Sequence, residues 1–128
     1  MLIAFDSKTG NVKRFINKLN MRNVQITTNT IIKEPYIFVT YTTGIGEVPI
    51  ISQEFLRKNH NNMVGVASSG NMGWGEMYGK SADIISKMYN RPIILKFELA
   101  GSKSEVEKFK QEVVKIAEQY STVDRIEQ

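Results

Sequence analysis

The chain has 128 residues, of which 41% are hydrophobic and 23% charged, which is enough for one globular domain with a sizeable core. It contains no cysteine and one histidine, so disulfides, thiolate nucleophiles, cysteine-bound metals and multi-histidine metal sites are excluded. The net charge is only +4, and the sequence lacks a basic tract, a transmembrane-length apolar stretch and a signal-peptide pattern, so we expect a cytoplasmic protein that binds neither nucleic acid nor membrane.

Five apolar, β-rich runs alternate with four helical patterns along the chain. The predicted strands cover residues 2–6, 24–27, 36–42, 63–68 and 92–98. The predicted helices cover residues 12–19, 50–59 and 77–89, followed by a last helix that begins at a capping box of Ser102 and Glu105. The apolar stripe of this last helix consists of Val106, Phe109, Val113, Ile116 and Tyr120. We expect one domain over residues 1–120 and a frayed tail over residues 121–128.

This alternation predicts an α/β fold, a five-stranded parallel sheet with helices on both faces. The strands are apolar runs rather than strict alternations, as expected for strands buried on both faces. The commonest order for such a sheet is 2-1-3-4-5. Only about eight residues, "TNTIIKEP", separate the second and third strands, and a crossover helix needs a dozen or more. We therefore expect one helix of the usual set to be missing and the sheet to be thinly covered there.

Three loops rich in glycine and small polar residues follow the first, third and fourth strands. They are "SKTGN" at 7–11, "TTGIGEVP" at 42–49 and "SSGNMGWG" at 68–75. In a sheet of this kind the carboxyl ends of the strands share one edge, and ligands bind there. Because glycine lets a backbone approach a ligand closely, three such loops at one edge predict a binding site.

The first loop has the composition of an anion cradle. Its hydroxyl and amide side chains are Ser7, Thr9 and Asn11. The backbone N–H groups of residues 8–12 would point to one spot at the start of the following helix, where the helix dipole favours an anion. Lys13 and Arg14 are unfavourable at this end of a helix, and a bound phosphate would offset that cost. The alternative is that Asn11 or Thr9 only caps the helix.

Other phosphate sites fit the sequence poorly. "WGEMYGKS" lacks the spacing of a P-loop, because Gly75 and Gly79 have three residues between them instead of four. Gly44 and Gly46 are not followed by the third glycine of a dinucleotide fingerprint. A phospho-accepting receiver domain needs an aspartate at the end of the third strand, where this chain has Thr42 and Thr43.

Five motifs together resemble the NrdI family, the flavodoxin-like partners of class Ib ribonucleotide reductase. They are "FDSKTGNVKRF", "VTYTTGIGEVP", "GVASSGNMGWG", "KSADIIS" and "KFELAGS". The phosphate loop is shared with all flavodoxins, whereas the combination of TTGxGxVP with SGNxxWG is much more specific. The resemblance runs from Leu2 to about Tyr120. One departure is Ile45, where relatives often carry an aromatic residue, and it affects how that side of a flavin ring is covered.

The resemblance implies a flavodoxin-like fold and FMN as the cofactor. The implied phosphate-binding residues are Ser7, Lys8, Thr9, Gly10, Asn11 and Val12. The residues implied to line the two sides of the isoalloxazine ring are Thr42, Thr43, Gly44, Ile45 and Gly46 on one side, and Ser69, Gly70, Asn71, Trp74 and Gly75 on the other. The Gly44–Ile45 peptide would be the redox-sensitive element, because its carbonyl would turn to accept a hydrogen bond from flavin N5–H. No metal site is expected.

The resemblance also implies a function. The protein would take electrons from a flavin-reducing donor, reduce O₂, and supply superoxide or peroxide for assembly of the dimanganese–tyrosyl radical cofactor in the small subunit of the class Ib reductase, a dimanganese or diiron protein. This makes it an accessory protein rather than a conventional metabolic enzyme. The expected docking surface consists of Met72, Trp74, Glu76 and Met77. The alternatives are a general electron-carrier flavodoxin and a phosphate-binding regulatory module without flavin.

Overall fold

The computed structural model describes the backbone of residues 1–127 and the side chains of residues 1–120. Five strands form the sheet: β1 (Leu2–Phe5), β2 (Asn23–Gln25), β3 (Tyr36–Tyr41), β4 (Met63–Gly70) and β5 (Ile93–Glu98). Four helices accompany them: α1 (Asn11–Leu19), α2 (Ile50–Asn59), α3 (Lys80–Tyr89) and α4 (Lys103–Glu127). All neighbouring strands are parallel, and the strand order is β2-β1-β3-β4-β5, as the sequence predicts.

Alternate residues of the central strands supply two separate cores. Ile3 and Ile37 belong to the core that includes side chains of α1 and α4, whereas Ala4 and Phe38 belong to the core that includes side chains of α2 and α3. All four side chains are fully buried, which explains why these strands read as unbroken apolar runs. The sheet is therefore the middle of three layers, and helices cover both of its faces.

The connection between β2 and β3 contains no helix, and all of it lies in the described part of the chain. Ile26 and Ile32 from this connection are buried against the sheet and stand in for the missing helix. The side chain of Asn59 in α2 holds the connection in place. Its Oδ1 accepts a hydrogen bond from the Ile32 N–H at 2.7 Å, and its Nδ2 donates to the Thr30 carbonyl at 2.9 Å. The prediction of a missing crossover helix is confirmed.

Two boundaries differ from those predicted. The third helix begins at Lys80 rather than near residue 77, because Gly75 and Gly79 adopt positive φ angles of 56° and 60° that interrupt a helix. Residues 72–77 form short 3₁₀ turns instead. In α4 the predicted stripe is buried from Val106 to Val113, whereas Tyr120 is 39% exposed. The domain bounds stay a prediction, because the side chains of the predicted frayed tail, 121–128, lie outside the described residues.

Within the described residues, no helix combines the length and the apolar content needed to cross a bilayer. The same part of the chain has no cluster of three or more histidine, aspartate or glutamate side chains arranged to hold a metal ion.

Candidate functional site

The carboxyl ends of β1, β3, β4 and β5 open into a cleft of about 400 Å³. Its lining residues are Ser7, Lys8, Thr9, Asn11, Val12, Tyr41, Thr42, Thr43, Gly44, Ser69, Gly70, Asn71, Trp74 and Leu99. This volume lies within the range of about 300–1,000 Å³ that is usual for ligand pockets. The three loops that the sequence places at one edge of the sheet therefore do meet around one cavity.

Most of the residues implied to bind a cofactor line this cleft. The exceptions are Gly10, Ile45, Gly46 and Gly75, which do not line it. Ile45 is 84% exposed at the tip of its loop, and Gly46 faces a neighbouring groove between α2 and α3. Whether these residues contact a cofactor stays a prediction.

Sequence reasoning missed two lining residues, Tyr41 and Leu99. Leu99 follows β5 and adopts a positive φ of 53°, which is rare for a branched residue. Its N–H donates to the Gly70 carbonyl at 3.0 Å, and its carbonyl accepts the Ser69 hydroxyl at 2.6 Å. The three loops are predicted to form the site because they directly follow strands at the carboxyl edge of the sheet. Leu99 directly follows β5 at the same edge, so the same rule would have identified it.

The backbone N–H groups of the first loop are available for a ligand at the N-terminus of α1. Gly10 occupies the position before the helix with a φ of 96° and supplies no side-chain cap, and the first turn contains no acidic residue. The Ser7 hydroxyl accepts the Lys13 N–H at 3.2 Å, so the capping oxygen comes from Ser7 rather than from Asn11 or Thr9. Among the described residues, no acceptor takes a hydrogen bond from the N–H groups of residues 8–12. This arrangement suits an anion bound to the loop.

The second loop is a tight hairpin that requires its glycines. Thr43 and Glu47 form an antiparallel bridge in which each N–H donates to the other's carbonyl, at 2.9 and 2.8 Å. Gly44 and Gly46 have positive φ angles of 56° and 73°. A Cβ on Gly44 would also lie 3.2–3.3 Å from the Glu47 carboxyl group. Because glycine adopts such angles without steric cost, the backbone of this loop can change conformation easily.

A cluster of three hydroxyls beneath the cleft fixes the second loop to its neighbours. The Ser81 hydroxyl in α3 lies 2.6 Å from the Ser68 hydroxyl in β4 and 3.0 Å from the Thr42 hydroxyl. The Ser81 N–H also donates to the Thr42 hydroxyl at 3.2 Å. The base of the loop is therefore held while its tip, around Ile45, is free of such contacts.

The third loop is held by backbone packing and by a carboxylate. A Cβ on Gly70 would lie 2.7 Å from the Gly79 backbone nitrogen, so the two ends of the loop approach too closely for any larger residue. Glu98 at the end of β5 accepts the Met72 N–H at 2.9 Å. Trp74 lines the cleft and remains 46% exposed.

Two acidic groups at or near the cleft have raised pKa values: Tyr41, which lines the cleft, and Asp6, which directly follows β1. Burial raises the pKa of Asp6, although hydrogen bonds from the Ser52 hydroxyl and backbone N–H oppose this shift. Burial, and then the negative charge of Asp6, raises the pKa of the Tyr41 phenol that lines the cleft. Tyr41 is therefore a neutral hydroxyl at physiological pH.

A second groove of about 440 Å³ lies between α2 and α3 and is lined mainly by apolar side chains such as Leu56, Ile85 and Met88. It lacks the open amides and the convergent loops of the cleft at the carboxyl edge. The chemistry that can recognise a polar cofactor is concentrated in the cleft.

The doubly wound sheet with a cleft at its carboxyl edge, bordered by a phosphate-type loop, defines a flavodoxin-like protein. The same fold is found in a solved short-chain flavodoxin associated with a PDU bacterial microcompartment, with a TM-score of 0.73 over 92% of this chain and 96% of that one, at 17% identity.

The model of the NrdI flavodoxin-like family matches residues 3–111, and the chain belongs to this family. The NrdI protein of Bacillus licheniformis is 50% identical over 115 residues, which cover 89% of this chain and 88% of that protein. The SPbeta prophage-derived NrdI protein of Bacillus subtilis is 42% identical over 127 residues, or 96% of this chain and 98% of that protein.

Proposed function

We propose that the protein binds FMN in the cleft at the carboxyl edge of the sheet. The observation that carries this proposal is the first loop in a flavodoxin-like fold. Five successive backbone amides of this loop and helix start have no acceptor among the described residues, and Gly10, the residue before the helix, supplies no side-chain cap. Lys8, Lys13 and Arg14 add positive charge beside these amides. A dianionic phosphate is the group that such a loop recognises best.

The residues present fit a flavin nucleotide. Residues 7–12 would hold the phosphate, and Thr42, Thr43 and Gly44 would face Ser69, Asn71 and Trp74 across the ring. Trp74 offers a flat aromatic surface next to the cleft, which suits a flat ring. The Gly44–Ile45 peptide is the element that would respond to the redox state, because its loop is fixed at Thr42 and contains two glycines at positive φ.

A bound flavin supplies one-electron chemistry and reactivity toward O₂. The chain would therefore need no acid, base or nucleophile of its own, and its residues would bind and orient the cofactor. We further propose, from the family, that the protein takes electrons from a flavin-reducing donor in the cytoplasm. It would then provide superoxide or peroxide for dimanganese–tyrosyl radical assembly in the small subunit of a class Ib ribonucleotide reductase.

An exposed rim beside the cleft supports a partner at this position. Met72 is 60% exposed, Trp74 and Met77 are also well exposed, and Glu76 adds one charge to this mostly apolar group. Exposed apolar side chains grouped around a functional cleft are typical of docking surfaces. Reversal of the Glu76 charge is expected to weaken capture of the small subunit in a pull-down, and unchanged capture would count against this surface.

The proposal is tested by titrating the purified chain with FMN and, in parallel, with riboflavin, which lacks the phosphate. We expect visible flavin absorbance to remain with the protein after gel filtration for FMN, and much weaker retention of riboflavin. A chain that retains neither compound would overturn the proposal. Equal retention of both would show that the phosphate loop does not carry the affinity.

The redox role is tested separately, with the manganese-loaded small subunit, O₂ and the reduced holoprotein. We expect tyrosyl radical to form only when all three are present. A holoprotein that reduces other electron acceptors but yields no radical would instead be an electron-carrier flavodoxin.

A further inference from the structure

Asp6 is the only charged side chain in the buried class among the described residues, with 4% of its surface exposed. It directly follows β1 and directly precedes the phosphate-type loop. Its N–H donates to the Val39 carbonyl at 3.0 Å and so continues the pairing of β1 with β3. Burying a carboxylate is unfavourable unless it is well hydrogen-bonded, so the partners of Asp6 are informative.

Asp6 ends a chain of buried hydroxyls. The Ser52 hydroxyl donates to Asp6 Oδ2 at 2.7 Å and lies 2.8 Å from the Thr40 hydroxyl. A serine hydroxyl can donate only one hydrogen bond, and Ser52 donates it to Asp6. Thr40 must therefore be the donor in its contact with Ser52. The chain therefore runs in one direction, from β3 through α2 to the carboxylate at the end of β1.

The same carboxylate lies at the N-terminal turn of α2. Ser52 is the third residue of this helix, its hydroxyl donates to Asp6, and its backbone N–H favours the ionised form of Asp6. The residue before the helix is Pro49, which provides no side-chain cap, and the first turn contains no acidic residue. A negative charge near a helix N-terminus satisfies its free N–H groups and interacts favourably with its dipole.

These contacts connect two loops of the cleft. The loop over 42–49 leads straight into α2, and the loop over 7–11 leaves directly from Asp6. We propose that Asp6 is a positioning residue of the flavin cleft. It holds the loop over 42–49 in place relative to the loop over 7–11 and sets a negative charge beneath both loops. This inference rests on the proposed binding of FMN.

The charge of Asp6 also reaches the cleft, because it contributes to the raised pKa of Tyr41 in the lining, after burial. A fixed negative charge opposes the addition of electrons to a nearby group. Removal of the charge should therefore make reduction of bound FMN easier, and this effect is separate from the loss of the hydrogen bonds.

The test compares Asp6→Ala, which removes both charge and hydrogen bonds, with Asp6→Asn, which retains an oxygen to accept the Ser52 hydroxyl. Glu54→Gln is the matched control, because Glu54 lies in the same helix and its partly exposed side chain pairs with Arg57 rather than with any group of the cleft. The measurements are the FMN dissociation constant and the midpoint potential of bound FMN, with far-UV circular dichroism as a check on folding.

We expect Asp6→Ala to weaken FMN binding by about tenfold, the effect of losing charge-assisted hydrogen bonds, and Asp6→Asn to restore most of the affinity. Both variants are expected to shift the midpoint potential to more positive values, whereas Glu54→Gln leaves both quantities unchanged. If Asp6→Ala does not fold, Ser52→Ala removes the hydroxyl link while the charge remains, and we expect it to weaken binding without the positive shift.

Wild-type affinity and potential in Asp6→Asn and Asp6→Ala would overturn the inference while the proposed function stands. Equal shifts in the Glu54→Gln control would overturn it as well, because the effect would then be one of net charge. Failure of the wild-type chain to bind FMN would instead remove the proposed function and this inference together.

Discussion

At the scale of single residues, the cleft depends on positions with unusual backbone geometry or unusual burial. Gly44 combines a φ of 56° with a neighbouring carboxyl group that a Cβ would crowd. Asp6 places a carboxyl group in the interior, where the Ser52 hydroxyl donates a hydrogen bond to it at 2.7 Å. Both positions have a cost in stability that a purely structural domain would avoid, which is typical of functional sites.

Gly44→Val should strain the loop over 42–49, since a β-branched residue adopts a positive φ only with difficulty. We expect FMN to remain bound and its midpoint potentials to shift, because the Gly44–Ile45 peptide loses its freedom to turn. Spectroelectrochemical titration measures this. Gly73→Ala is the control, since a Cβ there would meet only the Asn71 side chain, at 3.1 Å. Potentials that stay at the wild-type values in Gly44→Val would argue against a redox role for this peptide.

Asp6 should make the stability of the chain without cofactor depend on pH. Burial raises the pKa of Asp6 above its ordinary value, so the folded chain binds the proton more tightly than the unfolded chain. The resulting stabilisation is complete below the ordinary pKa and is lost as the pH rises through the raised pKa. The Asp6→Asn side chain does not ionise, so this variant does not lose stability in this way as the pH rises.

Urea unfolding at several pH values from about 4 to about 7 measures the effect, a range that starts at the ordinary pKa of an aspartate. We expect the free energy of unfolding of Asp6→Asn to rise relative to wild type as the pH increases across this range. Glu54→Gln should show a difference from wild type that is nearly independent of pH. The same flat difference in Asp6→Asn would contradict the assignment.

At the scale of elements, the connection between β2 and β3 shows how a sheet is covered without a helix. Ile26 and Ile32 provide the apolar cover, and the amide of Asn59 satisfies backbone groups that a helix would have paired internally. One buried side-chain amide thus satisfies backbone groups of the connection that would otherwise need a helix.

Asn59→Ala should therefore destabilise the fold by about 2 kcal/mol, since the Ile32 N–H loses its acceptor in a buried setting. Chemical denaturation provides the measurement. Asn61→Ala is the control, because Asn61 is a neighbouring asparagine with an exposed side chain. A loss in Asn59→Ala no larger than in Asn61→Ala would show that the connection does not depend on this amide.

At the scale of the whole molecule, one edge of the sheet carries the candidate site and the two faces carry the cores. The carboxyl ends of four strands contribute to the cleft, so a ligand bound there contacts segments from residue 7 to residue 99. Such a ligand crosslinks distant parts of the chain and binds the unfolded state poorly. Its effect on stability then follows from its affinity and concentration.

We expect FMN at about 100 times its dissociation constant to raise the free energy of unfolding by about 2.7 kcal/mol. Riboflavin at the same concentration should give a clearly smaller increase, because it cannot use the open amides of residues 8–12. Thermal unfolding with each compound measures the difference. Identical melting temperatures with and without FMN would contradict binding to the folded state.

The sequence by itself determined the strand order, the missing crossover helix and the three loops at one edge. These features follow from local periodicity and from the length of each connection, both of which can be read directly along the chain. The motifs in the loops also indicated the family. Most residues around the cleft follow from the same rule, because parallel strands bring their carboxyl ends together.

Only the tertiary structure decided how the loops are held. Asp6, Thr40 and Ser52 are far apart in the sequence and have no shared pattern, yet they form one hydrogen-bonded chain. The cap on α1 comes from Ser7, the start of α3 is set by Gly79, and Leu99 enters the cleft from β5. These features depend on contacts between segments packed together in three dimensions, and local propensity contains no information about such contacts.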